Sequence, residues 1–156
     1  MKILLDTTYL LPIIGIAIKE IPKDMLLKLK ANGHEIAVSE TTVFELSAKG
    51  AKYIQNNELL PERVTVGIRS ILSDDSVIKI SPYDSKILLT AFSLRGLMAD
   101  FIDCLILSSA LNCCDVLVTE DQVIHGLKQQ ENYLKIQAAI NPKFRIETAK
   151  QIQTHN

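Results

Sequence analysis

The chain is poor in the residues that announce common chemistries. Its 156 residues hold three cysteines, Cys104, Cys113 and Cys114, an odd number with no C-x-x-C spacing, which argues against a disulfide framework and against a zinc site. Buried, reduced thiols are the expectation. His34, His125 and His155 are scattered and form no ligand pair. Neither charge dominates. A formal net charge of -1 means that no basic field marks the whole chain for nucleic acid, so any such contact must come from a local patch. Long apolar runs are missing too. Residues 10–18 are nine uncharged residues, whereas a spanning helix needs about 20. Asp6 and Pro12 interrupt the N-terminal apolar stretch and no small-residue cleavage site follows it, so it does not read as a signal peptide, and a cytoplasmic protein without membrane contact is expected. Repeats, low-complexity segments and linkers are also lacking. With 47% hydrophobic and 22% charged residues, the chain reads as one globular domain over residues 1–150 with a polar tail at 151–156.

What is present is an alternation of short apolar runs and amphipathic stretches. Ile3-Leu4-Leu5, residues 35–39, 76–80 and 115–119 read as strands buried in a parallel sheet, and Phe144-Arg145-Ile146 as an edge strand. Helices are expected over residues 9–18, from about 21 to the Asn32-Gly33 stop, after a cap at Ser39 or Thr41, over 61–72, from a Ser81-Pro82 start to Gly96, over 100–111, and over 122–139. Gly50 breaks the apolar pattern of the third of these. The stretch 100–111 is apolar almost all round, which marks a buried helix. Strands alternating with helices give an α/β chain folded as a three-layer α/β/α sandwich around a central, mostly parallel sheet.

Acidic residues recur at the ends of these elements. Asp6 follows the first strand, Glu45 lies on the helix after the second, Asp103 lies on the apolar stretch, and Asp121 follows the fourth strand. Each has a plain explanation: Asp6 as a helix cap, Glu45 as a solvated charge, Asp103 as an acid favoured in a first helical turn. A parallel sheet, however, brings its strand C-terminal ends to one edge. Four carboxylates there, with no lysine or arginine at these tips, suit a hard cation such as Mg²⁺ or Mn²⁺. Two such ions can activate water and stabilise the leaving oxygen in phosphodiester hydrolysis.

Four short motifs, in order, resemble those of PIN-domain nucleases: Ile3-Leu4-Leu5-Asp6-Thr7-Thr8, then Val38-Ser39-Glu40-Thr41-Thr42-Val43-Phe44-Glu45-Leu46, then Asp103-Cys104-Leu105-Ile106-Leu107-Ser108-Ser109-Ala110, and Leu117-Val118-Thr119-Glu120-Asp121. The resemblance spans residues 1 to about 125. It implies a PIN-like fold and Mg²⁺- or Mn²⁺-dependent hydrolysis of single-stranded RNA, with Asp6, Glu45, Asp103 and Asp121 as the catalytic, metal-binding acids and Thr7 and Thr119 as supporting hydroxyls. A short stand-alone chain of this kind looks like the toxin of VapBC toxin–antitoxin pairs, with an antitoxin protein as partner and a homodimer as its usual state. The family often continues Thr-x-Asp-x-Asp-Phe, whereas Gln122-Val123-Ile124 follows Asp121 here. Glu120 is then a candidate replacement for the missing acid, and Asp100 is either a cap or a fifth acid. Lys19, Lys49, Lys52 and Arg95 are candidate phosphate contacts, and no aromatic–basic interleaving marks a base-stacking platform.

Three rivals stand beside this reading, and the sequence argues against two of them. A PIN fold can serve as an RNA-processing or scaffold module with weak or lost nuclease activity. A phosphatase of the haloacid-dehalogenase type needs an Asp where Thr8 stands. A receiver domain needs an Asp after the third strand, where Ser81-Pro82 stands.

Overall fold

The computed structural model describes residues 1–19, 21–22 and 24–154. Five strands, β1 (Lys2–Leu5), β2 (Glu35–Ser39), β3 (Val77–Ile80), β4 (Val116–Val118) and β5 (Arg145–Glu147), form one sheet in the order β3-β2-β1-β4-β5. Every pairing is parallel. Among the described residues eight α-helices accompany them: α1 (Met25–Ala31), α2 (Glu40–Gln55), α3 (Pro61–Ser73), α4 (Ser85–Leu94), α5 (Phe101–Cys113), α6 (Gln122–Gly126), α7 (Glu131–Ile140) and α8 (Ala149–Thr154).

Strand side chains alternate between faces, and the sheet sorts them into two cores. Ile3, Leu5, Ile36, Val38, Val116 and Val118 face the layer that includes α1, α2, α3 and α8. Leu4, Ala37 and Leu117 face α4, α5, α6 and α7. The result is the expected α/β/α sandwich. The chain runs outward from β1 to β3, then crosses back to place β4 on the other side of β1. That reversal leaves a crevice beyond the C-terminal ends of β1 and β4, the usual place for a site in an open parallel sheet.

Several elements differ from the expectation. Residues 7–14 form a 3-10 helix that stops at Gly15, whose φ of 103° and N–H bonds to Leu11 and Pro12 carbonyls close the turn. This is a conformation that L side chains rarely adopt. Pro12 sits inside this segment and donates no N–H of its own. α2 runs unbroken through Gly50, because the glycine is a contact point: an added Cβ would stand 2.6 Å from Val64 Cγ1 of α3. α4 begins at Ser85 rather than after Ser81-Pro82, since Asp84 Oδ1 accepts the Lys86 N–H at 2.9 Å and caps the helix. The stretch 122–139 is α6, a 3-10 turn (Leu127–Gln129) and α7, separated by extended Gln130. The break lets Leu127 and Tyr133 both reach full burial in one core. The segment expected to be a polar tail is helical to Thr154, and Ile152 is the reason: its side chain is fully buried among Tyr9, Leu10 and Ala149's core. Residues 155–156, and Lys23 in the expected start of the second helix, lie outside the described residues. No helix among the described residues is long and apolar enough to cross a membrane.

Candidate active site

The crevice is built from both helical layers. Asp6 caps the 3-10 helix directly after β1: its Oδ1 accepts the Thr7 N–H at 2.7 Å and its own N–H donates to the Val118 carbonyl at 3.1 Å. Thr119, just past β4, donates its hydroxyl to Asp6 Oδ2 at 2.6 Å and accepts the Asp121 N–H at 3.1 Å. Asp121 caps α6 through the N–H groups of Val123 and Ile124, at 2.6 and 3.2 Å. Glu45 reaches in from α2, where its Oε2 accepts the Thr7 hydroxyl. Asp103 enters from the opposite layer, in the first turn of α5, which Asp100 caps through the Ile102 N–H at 2.8 Å.

The electrostatics show these acids to be neighbours. Burial pushes the Asp103 carboxyl up, Asp100, Asp121, Asp6 and Glu45 push it further, and it reaches about 7. Asp6 is also raised, first by burial and then by Glu45, while Thr119, Thr7 and Lys49 pull it down. Like charges in a partly desolvated crevice favour the protonated form. The tertiary structure therefore draws Asp6, Glu45, Asp103 and Asp121 together, with Asp100 both a cap and a nearby negative charge. The hydroxyls of Thr7 and Thr119 each lie on one of the acids.

Glu120 does not join them. Its Oε1 accepts the Tyr9 hydroxyl at 2.6 Å and the Ala149 N–H at 3.1 Å, so it ties the start of α8 to the 3-10 helix. No lysine or arginine is expected at the strand tips; Lys49, within α2 rather than at a tip, does reach one of the acids, its Nζ 3.1 Å from Glu45 Oε1. Its position four residues after Glu45 on one helix was the sequence signal for that pair. Arg95 donates to the Met98 carbonyl at 3.0 Å, and Lys19 and Lys52 are exposed. Beside the acids, a groove of about 350 Å³ between α2 and α5 is lined by Phe44, Tyr83, Leu88, Phe101 and Leu105 among others, with no lysine or arginine.

Could these residues hold a divalent cation? The donor set fits: four carboxylates from four elements, two of them with raised affinity for protons, are the oxygen ligands a hard cation takes. Their present arrangement is not a closed cage. Among the described residues no group of three or more His, Cys, Asp or Glu is placed so that it could hold a metal ion. Three of the carboxylates have local partners: Asp6 has Thr7 and Thr119, Glu45 has Thr7 and Lys49, and Asp121 has the start of α6.

Neither known family models nor curated proteins show a match to this chain. Among solved structures, it is similar to VapBC2 from Rickettsia felis, solved bound to a DNA fragment from its promoter, with a TM-score of 0.61, 21% sequence identity, and coverage of 95% of this chain and 98% of that one. At that identity the likeness is one of fold, and it agrees with the parallel order and the layers described above. The chain has a three-layer α/β/α, PIN-like fold.

Proposed function

We propose that this chain is a metal-dependent endoribonuclease that hydrolyses phosphodiester bonds of single-stranded RNA. The observation that supports the reading is the placement of Asp6, Glu45, Asp103 and Asp121 around one crevice, where the Thr7 and Thr119 hydroxyls bind Glu45 and Asp6 and burial, then the other acids, raise the Asp103 carboxyl. Asp6 and Asp103, the more desolvated pair, would hold Mg²⁺ or Mn²⁺ with Glu45 and Asp121 completing the set. Such a cation supplies activation of water and neutralisation of charge on the leaving oxygen. Asp121 or Glu45 orients the attacking water and accepts its proton. Thr7 holds Glu45 and Thr119 holds Asp6, so that neither carboxylate must be ordered when substrate arrives. Purified protein incubated with single-stranded RNA should cleave it with Mg²⁺ or Mn²⁺ and stop with a chelator. No cleavage, together with no change in thermal midpoint on adding metal, sinks the reading.

The likeness in fold to VapBC2 supports a toxin that works with an antitoxin protein; the resemblance of motifs supports a homodimer, and the short N-terminal apolar run, with no cleavage site after it, supports a cytoplasmic location. Size-exclusion chromatography with light scattering tests the homodimer.

A second reading has its own support. The acids already have local hydrogen-bond partners and are not gathered as a ready-made metal site, as suits a PIN-fold RNA-binding or scaffold module. Under that reading Asp6→Asn and Asp103→Asn leave RNA binding unchanged and metal has no effect on either.

A further inference from the structure

Lys49 is the cation ion-paired to the acid cluster. The other four ion pairs among the described residues, Lys28–Asp24, Lys30–Asp74, Lys135–Glu131 and Arg145–Glu147, do not involve these acids. Lys49 stands one turn beyond Glu45 on α2, its Nζ 3.1 Å from Oε1 and its side chain 40% exposed. The two oxygens of Glu45 thus differ. Oε2 takes the Thr7 hydroxyl, which is fixed to the tip of β1. Oε1 is held by an ammonium on a flexible, partly solvated stem.

That difference has a consequence for any divalent cation entering the crevice. An ion held by Glu45 would compete with the ammonium that stands 3.1 Å from Oε1, since the two positive charges repel. Lysine is a compact charge with three donors and four rotatable carbons, so it can leave one acceptor for another without moving the helix. Lys49 lies one helical turn from Glu45 on α2, so an ammonium released from that carboxylate would still be close enough to meet a phosphate brought to the crevice.

Resting on the ribonuclease reading, we propose that Lys49 is a placeholder that becomes a phosphate contact: it holds Glu45 Oε1 in the metal-free protein and turns to the phosphate of single-stranded RNA once Glu45 takes the metal. No covalent step is involved. The lysine sets the order of events, keeping Glu45 aimed at the crevice before metal and neutralising substrate after it.

The test compares wild type with Lys49→Met, Lys49→Arg and, as a control, Lys135→Met, which removes the same charge from an i,i+4 pair on α7. Two readouts are needed. The first is calorimetric titration with MnCl₂ alone, without RNA. Lys49→Met should bind Mn²⁺ about threefold to tenfold more tightly than wild type, because the competing charge is gone. Lys135→Met should match wild type. The second is cleavage of a single-stranded oligoribonucleotide at saturating Mn²⁺. Lys49→Met should raise KM, and the slope of log KM against log salt should shrink by about 0.7, the loss of one phosphate contact. Lys49→Arg should restore both. If wild type binds Mn²⁺ and cuts RNA while Lys49→Met binds Mn²⁺ no more tightly, or keeps the same salt slope, the proposal is overturned and the ribonuclease reading stands. If neither protein binds Mn²⁺, the ribonuclease reading fails and this inference falls with it.

Discussion

The carboxyl of Asp103 is pushed up to about 7 by burial and by Asp100, Asp121, Asp6 and Glu45, and this has a sign that can be checked. In the unfolded chain an aspartate titrates near 3.9. Between about pH 4 and pH 7 the unfolded state has lost the proton and the folded state keeps it, so metal-free stability falls as pH rises through that window. Asp103→Asn removes the effect. The variant should be more stable than wild type at pH 7 in chelator, on the order of 1 kcal/mol once solvent screening of a half-buried group is allowed for, and the difference should vanish below pH 4. Urea unfolding at both pH values measures it. A less stable variant at pH 7 would mean that Asp103 is engaged as a structural acceptor instead. Asp6 offers a complementary substitution. Asparagine keeps the acceptor for the Thr7 N–H that caps the 3-10 helix, so Asp6→Asn should fold and melt within about 1 kcal/mol of wild type yet lose cleavage in the RNA assay. Surviving activity would return Asp6 to a purely capping role.

At the scale of elements, two close approaches hold α2 and α3 against the start of the chain. Gly67 of α3 has no room for a side chain: an added Cβ would stand 2.6 Å from the Ile13 carbonyl oxygen. Gly67→Ala should therefore destabilise by about 1–3 kcal/mol, despite the roughly 1 kcal/mol that alanine gains over glycine in a helix interior. Gly50→Ala meets a Val64 methyl rather than backbone and should cost less. Denaturant midpoints of the two variants decide the order, and a Gly67→Ala protein as stable as wild type would contradict the packing. The last helix is held differently. Tyr9 donates to Glu120 Oε1 at 2.6 Å and accepts the Ala149 N–H at 3.0 Å, and burial followed by Glu120 raises its phenol well above the ordinary range. Tyr9→Phe should cost about 1–2 kcal/mol and speed amide exchange in α8 more than in α5.

For the molecule as a whole, the reversal of direction at β1 decides where chemistry can occur. Both layers contribute to the crevice, α2 from one and α5 from the other, so metal binding should tie the two layers together. The thermal midpoint should rise with Mn²⁺ concentration, by the equivalent of about 2.7 kcal/mol at a hundredfold excess over Kd. Asp103→Asn should blunt that rise. The strands and the candidate acids were legible because buried strands are short apolar runs and because acids recur at their ends. Boundaries within helices were not. Gly50 acts through its contact with Val64 on another helix, and the break at Gln130 goes with the burial of Leu127 and Tyr133 in one core; no local pattern carries that information.

By itself the sequence determined the alternation of strands and helices, the parallel sheet that follows from it, and the identity of four acids in a nuclease-like order. These depend on side-chain periodicity and chain connectivity, which are local. Only the tertiary structure decided which acids share a crevice, that Glu120 turns to Tyr9 and Ala149, that Lys49 stands among the carboxylates, and that Ile152 carries the expected tail into the core. Those depend on distances between residues as far apart as Asp6 and Thr119, which are set when two layers of helices close over one sheet.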